Sequence, residues 1–250
     1  GLAIVVEEER LARQPELAAF LDWLEGLEGK SMLLELAETM RIQAMLFQHS
    51  IYFQKEADLE HLARRYLDSL KRELVSELGQ PVRADLDAFD EALETMRHGH
   101  VLGHVVATGV GGGSVPAVAR AYFDAHKQHG RDVWVADRFR SVDIAQVRRN
   151  LEHAGLLDGR VHLLEGDPAA TLPEAPVDRV AVLHVGAGTG PDVAAVLEAV
   201  YPRLAPGGVV VVERASDRAV RASIDAFRAA HGITEAETTV ASTATTWRRR

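Results

Sequence analysis

The 250-residue chain contains no cysteine, which removes disulfides, thiolate metal ligands, iron–sulfur clusters and thiol nucleophiles together. No apolar stretch reaches the roughly 18 residues of a membrane-spanning helix. Nor is there a long basic stretch of the kind that neutralises a phosphate backbone. Neither a membrane nor a nucleic acid is therefore expected as a partner. The one basic run, Arg248-Arg249-Arg250, reads as a frayed end. Gly1-Leu2-Ala3-Ile4-Val5-Val6, followed by three glutamates, lacks the basic n-region and long apolar core of a secretory signal. The expected location is the cytoplasm.

What is present suits a folded soluble protein. Hydrophobic residues make up 47% and charged residues 26%, close to the globular average. The net charge of −9 has one origin: residues 1–100 carry 11 Lys/Arg against 20 Asp/Glu, whereas residues 101–250 carry 17 against 17. The length allows one or two domains with a sizeable core.

Apolar residues recur at helical spacing from Pro15 to about Leu78, as in Leu17, Phe20, Leu21 and Leu24, then Leu62, Tyr66, Leu67 and Leu70. The stretch from Met32 to Phe53 is apolar around its circumference and must lie against something: the core, a second copy in a homodimer, or a substrate wall. After a break at Gly79-Gln80-Pro81, a helix is expected over Leu86–Met96. Beyond Gly99 strands and helices alternate, which predicts a parallel sheet with helices on both faces. The expected strands are Val101–Thr108, Val133–Ala136, Arg160–Leu164, Arg179–Val185 and Val209–Val212. Helices are expected at Val115–Gln128, Ile144–His153, Val193–Leu204 and Arg218–His231, and a β-hairpin over Thr238–Trp247. Five βα units closed by an antiparallel hairpin is the order of a class I S-adenosylmethionine-dependent methyltransferase, an α/β doubly wound fold. The expected division is a helical region at 1–83 and a methyltransferase-like Rossmann domain at 84–250.

Thr108-Gly109-Val110-Gly111-Gly112-Gly113-Ser114 follows the first strand and opens a helix. Glycines there permit a tight turn and close ligand approach to backbone N–H groups, although a packing turn has the same composition. Asp137 closes the second strand, where a carboxylate can accept both ribose hydroxyl protons of a nucleoside. Gly166 and Asp167 follow the third strand, beside the expected adenine position, in what is equally an ordinary Asp-Pro turn. His98, His100 and His104 have no acidic partner at ligand spacing, and surface or helix-end positions explain them.

Several segments resemble the macrocin O-methyltransferase family: Arg65-Tyr66-Leu67-Asp68-Ser69-Leu70-Lys71-Arg72, Ala107-Thr108-Gly109-Val110, Val133-Trp134-Val135-Ala136-Asp137, Thr171-Leu172-Pro173, Tyr201-Pro202-Arg203-Leu204-Ala205-Pro206-Gly207-Gly208 and the closing Trp247-Arg248-Arg249. The resemblance covers about residues 64–250. It implies a small-molecule natural-product substrate, S-adenosylmethionine as cofactor and, in the family, magnesium.

The departures from that pattern are specific. Gly186-Ala187-Gly188 stands where the family has Asp-Gly-Asp, and Glu213-Arg214 where it has Asp-Asp. A hard dication needs several oxygen ligands, so no metal site is expected. Arg214 either substitutes electrostatically for the metal or pairs with Glu213. The family glutamate that would hold the methionyl amino group is Ala107, and the long lid is reduced to residues 138–143. His184, two residues before the lost metal position, is the candidate replacement base, with a satisfied strand histidine as the plain alternative. The resulting expectation is a metal-independent, S-adenosylmethionine-dependent tailoring enzyme using His184, Glu213 and Arg214, with Thr108, Gly109, Gly111, Asp137, Gly166 and Asp167 on the cofactor. The alternatives are a homologue running a cyclisation, elimination or rearrangement in the old acceptor pocket, or a non-catalytic partner subunit.

Overall fold

The computed structural model describes residues 60–72, 80–240 and 244–250. By internal contacts the chain divides into Gly1–Glu60 and His61–Arg250, and the second unit carries the sheet. The reading that sets 1–83 apart as a helical region stays a proposal. The apolar stretch from Met32 to Phe53, read as a dimer contact or substrate wall, lies outside the described residues.

A helix over residues 60–72 (α1) precedes α2 (Gln80–His98). The Lys71 ammonium lies 2.9 Å from Asp90 Oδ2 and ties the two together. Next come β1 (His104–Thr108), α3 (Ser114–Ala125), β2 (Val133–Asp137), α4 (Ile144–His153), β3 (Val161–Glu165) and α5 (Pro168–Glu174). β4 (Val180–Val185), a 3₁₀ turn (Ala187–Asp192), α6 (Val193–Val200), β5 (Leu204–Val212), α7 (Arg218–Ala230), β6 (Thr238–Val240) and β7 (Ala244–Arg248) complete the unit.

The seven-stranded sheet runs β3-β2-β1-β4-β5-β7-β6. The first five strands are parallel, and β7 is antiparallel to both neighbours. Valine dominates the central strands because both of their faces are covered and β-branched side chains pack well on a pleated surface. One face carries Val105, Ala107, Val182 and Val211 in a core shared with Phe89 and Leu93 of α2 and with Val118 and Tyr122 of α3. The other carries Val106, Leu183, Val185 and Val210 with Leu172 of α5, Leu197 of α6 and Ile224 of α7. Leu183 is fully buried, and its truncation to alanine costs roughly 2–5 kcal/mol.

The strand order reverses between β1 and β4, and in an open α/β sheet ligands bind outside the carboxyl ends of the strands at that point. The turns after β1, β2, β4 and β5 therefore build the site.

Two sequence expectations are corrected. The terminal arginines are not frayed: Arg249 N donates to Gly208 O at 2.9 Å, its guanidinium reaches the Tyr201 carbonyl at 2.8 Å, and it stacks on the Tyr201 ring. An additional helix, α5, links β3 to β4, started by Asp167, whose side chain accepts from Ala169 N at 3.0 Å, and by Pro168 in the first turn.

Candidate active site

The glycine turn after β1 is built for contact. Gly109 has φ +63°, and a Cβ on it would stand 2.5 Å from Thr189 N and 2.6 Å from Gly186 O. A Cβ on Gly186 would in turn stand 2.5 Å from Gly109 O. The turns after β1 and β4 thus lie directly on one another. Gly186 N donates to Thr108 O at 2.8 Å, and the buried hydroxyls of Thr108 and Thr189 are 2.8 Å apart. Thr108 is consequently spent on Thr189. Gly111, by contrast, has φ +53° with open space where a Cβ would stand, and its N–H side of the turn leads into α3, whose N-cap Gly113 brings no side-chain cap.

Asp137 at the end of β2 locks this turn to the next. Its Oδ2 accepts from Val110 N at 3.0 Å and its Oδ1 from Phe139 N at 2.9 Å. A carboxylate has about four lone-pair sites, so two are left for ribose hydroxyls. Gly166 N donates to the Asp137 carbonyl at 3.0 Å, which places the β3 turn alongside. Asp167 is engaged: Arg138 joins it to Asp192, so one guanidinium spans the turns after β2, β3 and β4.

At the end of β4, His184 is fully buried, with Phe89 of α2 edge-on to its ring at 5.3 Å. Its Nε2 lies 2.8 Å from Glu213 Oε1, and Glu213 Oε2 accepts from Ala187 N at 2.7 Å. A carboxylate accepts and cannot donate, so the imidazole proton sits on Nε2, leaving Nδ1 buried with no hydrogen-bond partner. Burial pushes the Glu213 carboxyl up, but the His184 ring and the Ala187 N–H outweigh it and hold the group below the usual carboxylate range. Glu213 forms part of the wall of a cavity of about 200 Å³ together with Gly186, Ala187, Val193, Arg214 and Asp217. His184 itself reaches that cavity only through Glu213.

The ion pair expected between Glu213 and Arg214 is not formed. Arg214 turns away at φ +53° and pairs with Asp217 at 2.5 Å, with its side chain 59% exposed. Both residues lie just beyond β5, and the left-handed backbone at Arg214 turns its side chain away from Glu213. Two of the non-glycine residues at positive φ, Phe139 and Arg214, closely follow the two site carboxylates, where backbone strain concentrates in functional sites. Sequence reasoning missed Thr189, Arg138 and Asp192. The adjacency of Arg138 to Asp137 was the available signal for the bridge; Thr189 carried none.

Magnesium does not fit these residues. It requires near-octahedral oxygen coordination, yet Gly186 offers no side chain, both Glu213 oxygens already take protein N–H groups, and the Asp217 carboxylate is taken by Arg214. Among the described residues, no three-ligand group of His and carboxylate atoms includes Glu213. An adenosyl group does fit, at Asp137 and the open Gly111 turn. Ala107, near the end of β1, is buried and uncharged.

The macrocin O-methyltransferase family model matches residues 80–145 and 140–249. The 8-demethyl-8-(2,3-dimethoxy-alpha-L-rhamnosyl)-tetracenomycin-C 4'-O-methyltransferase of Streptomyces olivaceus is 32% identical over 188 residues, 65% of this chain and 72% of the relative. The mycinamicin III 3''-O-methyltransferase of Micromonospora griseorubida is 30% identical over 191 residues, 66% of this chain and 75% of the relative. Among solved structures, the O-methyltransferase NovP superposes with a TM-score of 0.70 at 24% identity, covering 75% of this chain and 99% of that one. Its match and those of other class I methyltransferases establish the fold, and the family model spans most of the chain from Gln80 onward. By the match to the family model, this chain belongs to the macrocin O-methyltransferase family.

Proposed function

We propose that the chain is an S-adenosylmethionine-dependent methyltransferase that tailors a small natural-product molecule without magnesium. The observation that carries this reading is the Asp137 carboxylate, held by Val110 N and Phe139 N with two acceptor sites left over, beside the open Gly111 turn. The relatives' names support a small glycosylated acceptor.

The cofactor, when bound, supplies an electrophilic methyl group. The chain's own residues then have three tasks. Asp137 and the Gly111 turn fix the ribose, which sets the approach direction of the acceptor, and orientation of this kind supplies much of the rate of a two-substrate transfer. Glu213, the buried carboxylate in the wall of the cavity at the β4/β5 end, accepts a hydrogen bond from the bound ligand, whereas Asp217 in the same wall is paired with Arg214. His184 orients Glu213 from behind by donating its Nε2–H across the 2.8 Å bond. Arg214 acts at the rim, paired with Asp217, rather than on Glu213.

One observation favours a second reading. The contact of Gly109 with Gly186 and Thr189 closes the space over the β1 turn, as suits a homologue that keeps the fold but runs another reaction. Incubation with methyl-labelled S-adenosylmethionine and a panel of deoxysugar-bearing natural products, in EDTA, separates the two. Label in a product supports methyl transfer, and its absence from every acceptor, together with no binding of S-adenosylhomocysteine, supports the second reading. No helix among the described residues is long and apolar enough to cross a membrane. Homodimerisation and a cytoplasmic location stay proposals.

A further inference from the structure

Ala107, His184 and Val211 stand side by side on β1, β4 and β5, in register across three parallel strands. The family resemblance gives the β1 position a glutamate facing an amino group. Here that side of the histidine has a methyl, and the carboxylate comes from the opposite side, two residues beyond Val211, as Glu213 on His184 Nε2. Glu213 is 8% exposed. Its two oxygens each accept one N–H, from His184 and Ala187, leaving about two lone-pair sites toward the cavity. Arg214, the nearest cation in sequence, is committed to Asp217.

We infer that Glu213 is an ammonium-binding carboxylate: the cavity at the β4/β5 end takes a protonated amino group of a bound ligand where the family binds a metal ion. A dication needs an oxygen shell that Gly186 and Arg214 cannot provide. A primary ammonium is a compact single charge with three donors, and one well-oriented carboxylate with spare lone pairs satisfies it. A buried carboxylate gains most from a ligand that brings the opposite charge. A neutral hydroxyl would bring a hydrogen bond but no charge. The amino group has two possible sources, the amino-acid end of the sulfonium cofactor or an amino sugar on the acceptor. This inference rests on the methyltransferase reading, but its test does not require turnover.

The test is calorimetric titration of the full chain and of Glu213→Gln with two matched probe pairs. S-Adenosylhomocysteine and 5'-methylthioadenosine differ in the amino-acid end; a methyl aminodeoxyhexoside and the matching methyl hexoside differ in the amine. Loss of a charged hydrogen bond weakens binding roughly tenfold to a hundredfold. The inference predicts that loss for one ammonium-bearing probe in Glu213→Gln, with its uncharged mate unchanged. Which pair shows it names the source. Equal effects on both members of each pair, no effect at all, or no binding of either ammonium probe by the unaltered chain overturns it. Glu213→Asp, which keeps the charge with a shorter reach, replaces the glutamine variant if that one fails to fold, and the same selective loss is expected. Binding of both nucleosides with no ammonium selectivity in either pair keeps the methyltransferase reading and overturns the inference. Glu213-dependent amine binding without nucleoside binding does the reverse.

Discussion

Ala107 and His184 are register partners on neighbouring parallel strands, and the carboxylate that meets the histidine, Glu213, comes from the strand on its far side at 2.8 Å. This arrangement gives the end of the sheet one buried carboxylate, held by the histidine and by Ala187 N.

Placing an acid at the end of β4 will not create a metal site. The Cβ of Gly186→Asp would meet backbone oxygens of Gly109 and Thr108 at 2.5 and 2.7 Å, and backbone yields less readily than a side-chain tip. Thermal unfolding should show a loss of about 1–3 kcal/mol, the scale of overpacking, with no stabilisation by added magnesium. A magnesium-dependent rise in melting temperature would contradict the account of this turn.

Asp137→Ala removes an acceptor from Val110 N and Phe139 N as well as from the ribose. Both stability and nucleoside affinity should fall, the affinity by roughly tenfold or more. Calorimetry with 5'-methylthioadenosine, which has no amino-acid end, isolates the ribose contribution. Unchanged affinity would remove Asp137 from the site.

The Arg138 bridge to Asp167 and Asp192 spans three turns at the nucleoside edge. If a nucleoside must displace it, Arg138→Gln should tighten nucleoside binding by roughly two- to fivefold, the scale of a partly exposed ion pair. The difference from the unaltered chain should shrink at high salt, because screening weakens the bridge first. Weaker binding in the variant would instead make Arg138 a direct ligand contact.

Far from the site, Asp158 supplies a pH signature. The Arg120 guanidinium hydrogen-bonds it at 3.0 and 3.1 Å and holds its carboxyl at about 2, below the ordinary 3.8. A depressed carboxylate contributes stability above its unfolded value and loses it as pH falls through the folded one. The stability gap between the unaltered chain and Asp158→Asn should therefore be full above pH 3.8 and shrink toward pH 2 in acid titrations followed by circular dichroism. Arg120→Met should cost about 1–3 kcal/mol at neutral pH.

The alternation of strands and helices along the chain was legible because it rests on long apolar runs: Val180–Val185 and Val193–Val200 have no reading other than a buried strand and a packed helix. The short α5 was harder, since its 7 residues carry no periodicity, although Asp167-Pro168 is a helix-start signal in its own right. Gly186 and Arg214 were readable as positions without a carboxylate. The partner that Arg214 chooses was not, because side-chain direction at a strand end depends on the local φ, here +53°. The Thr108–Thr189 contact joins residues 81 apart through two glycine turns, a geometry that no local pattern encodes. The complete burial of His184 beneath Phe89 was not legible, because it is set by α2, an element remote in sequence.

The most direct test of the account is calorimetric titration of S-adenosylhomocysteine into the full chain in the presence of EDTA. The account predicts saturable binding at a single site, undiminished by EDTA and weakened in Asp137→Ala. No heat and no thermal shift at millimolar ligand, or binding that appears only when magnesium is restored, would contradict it.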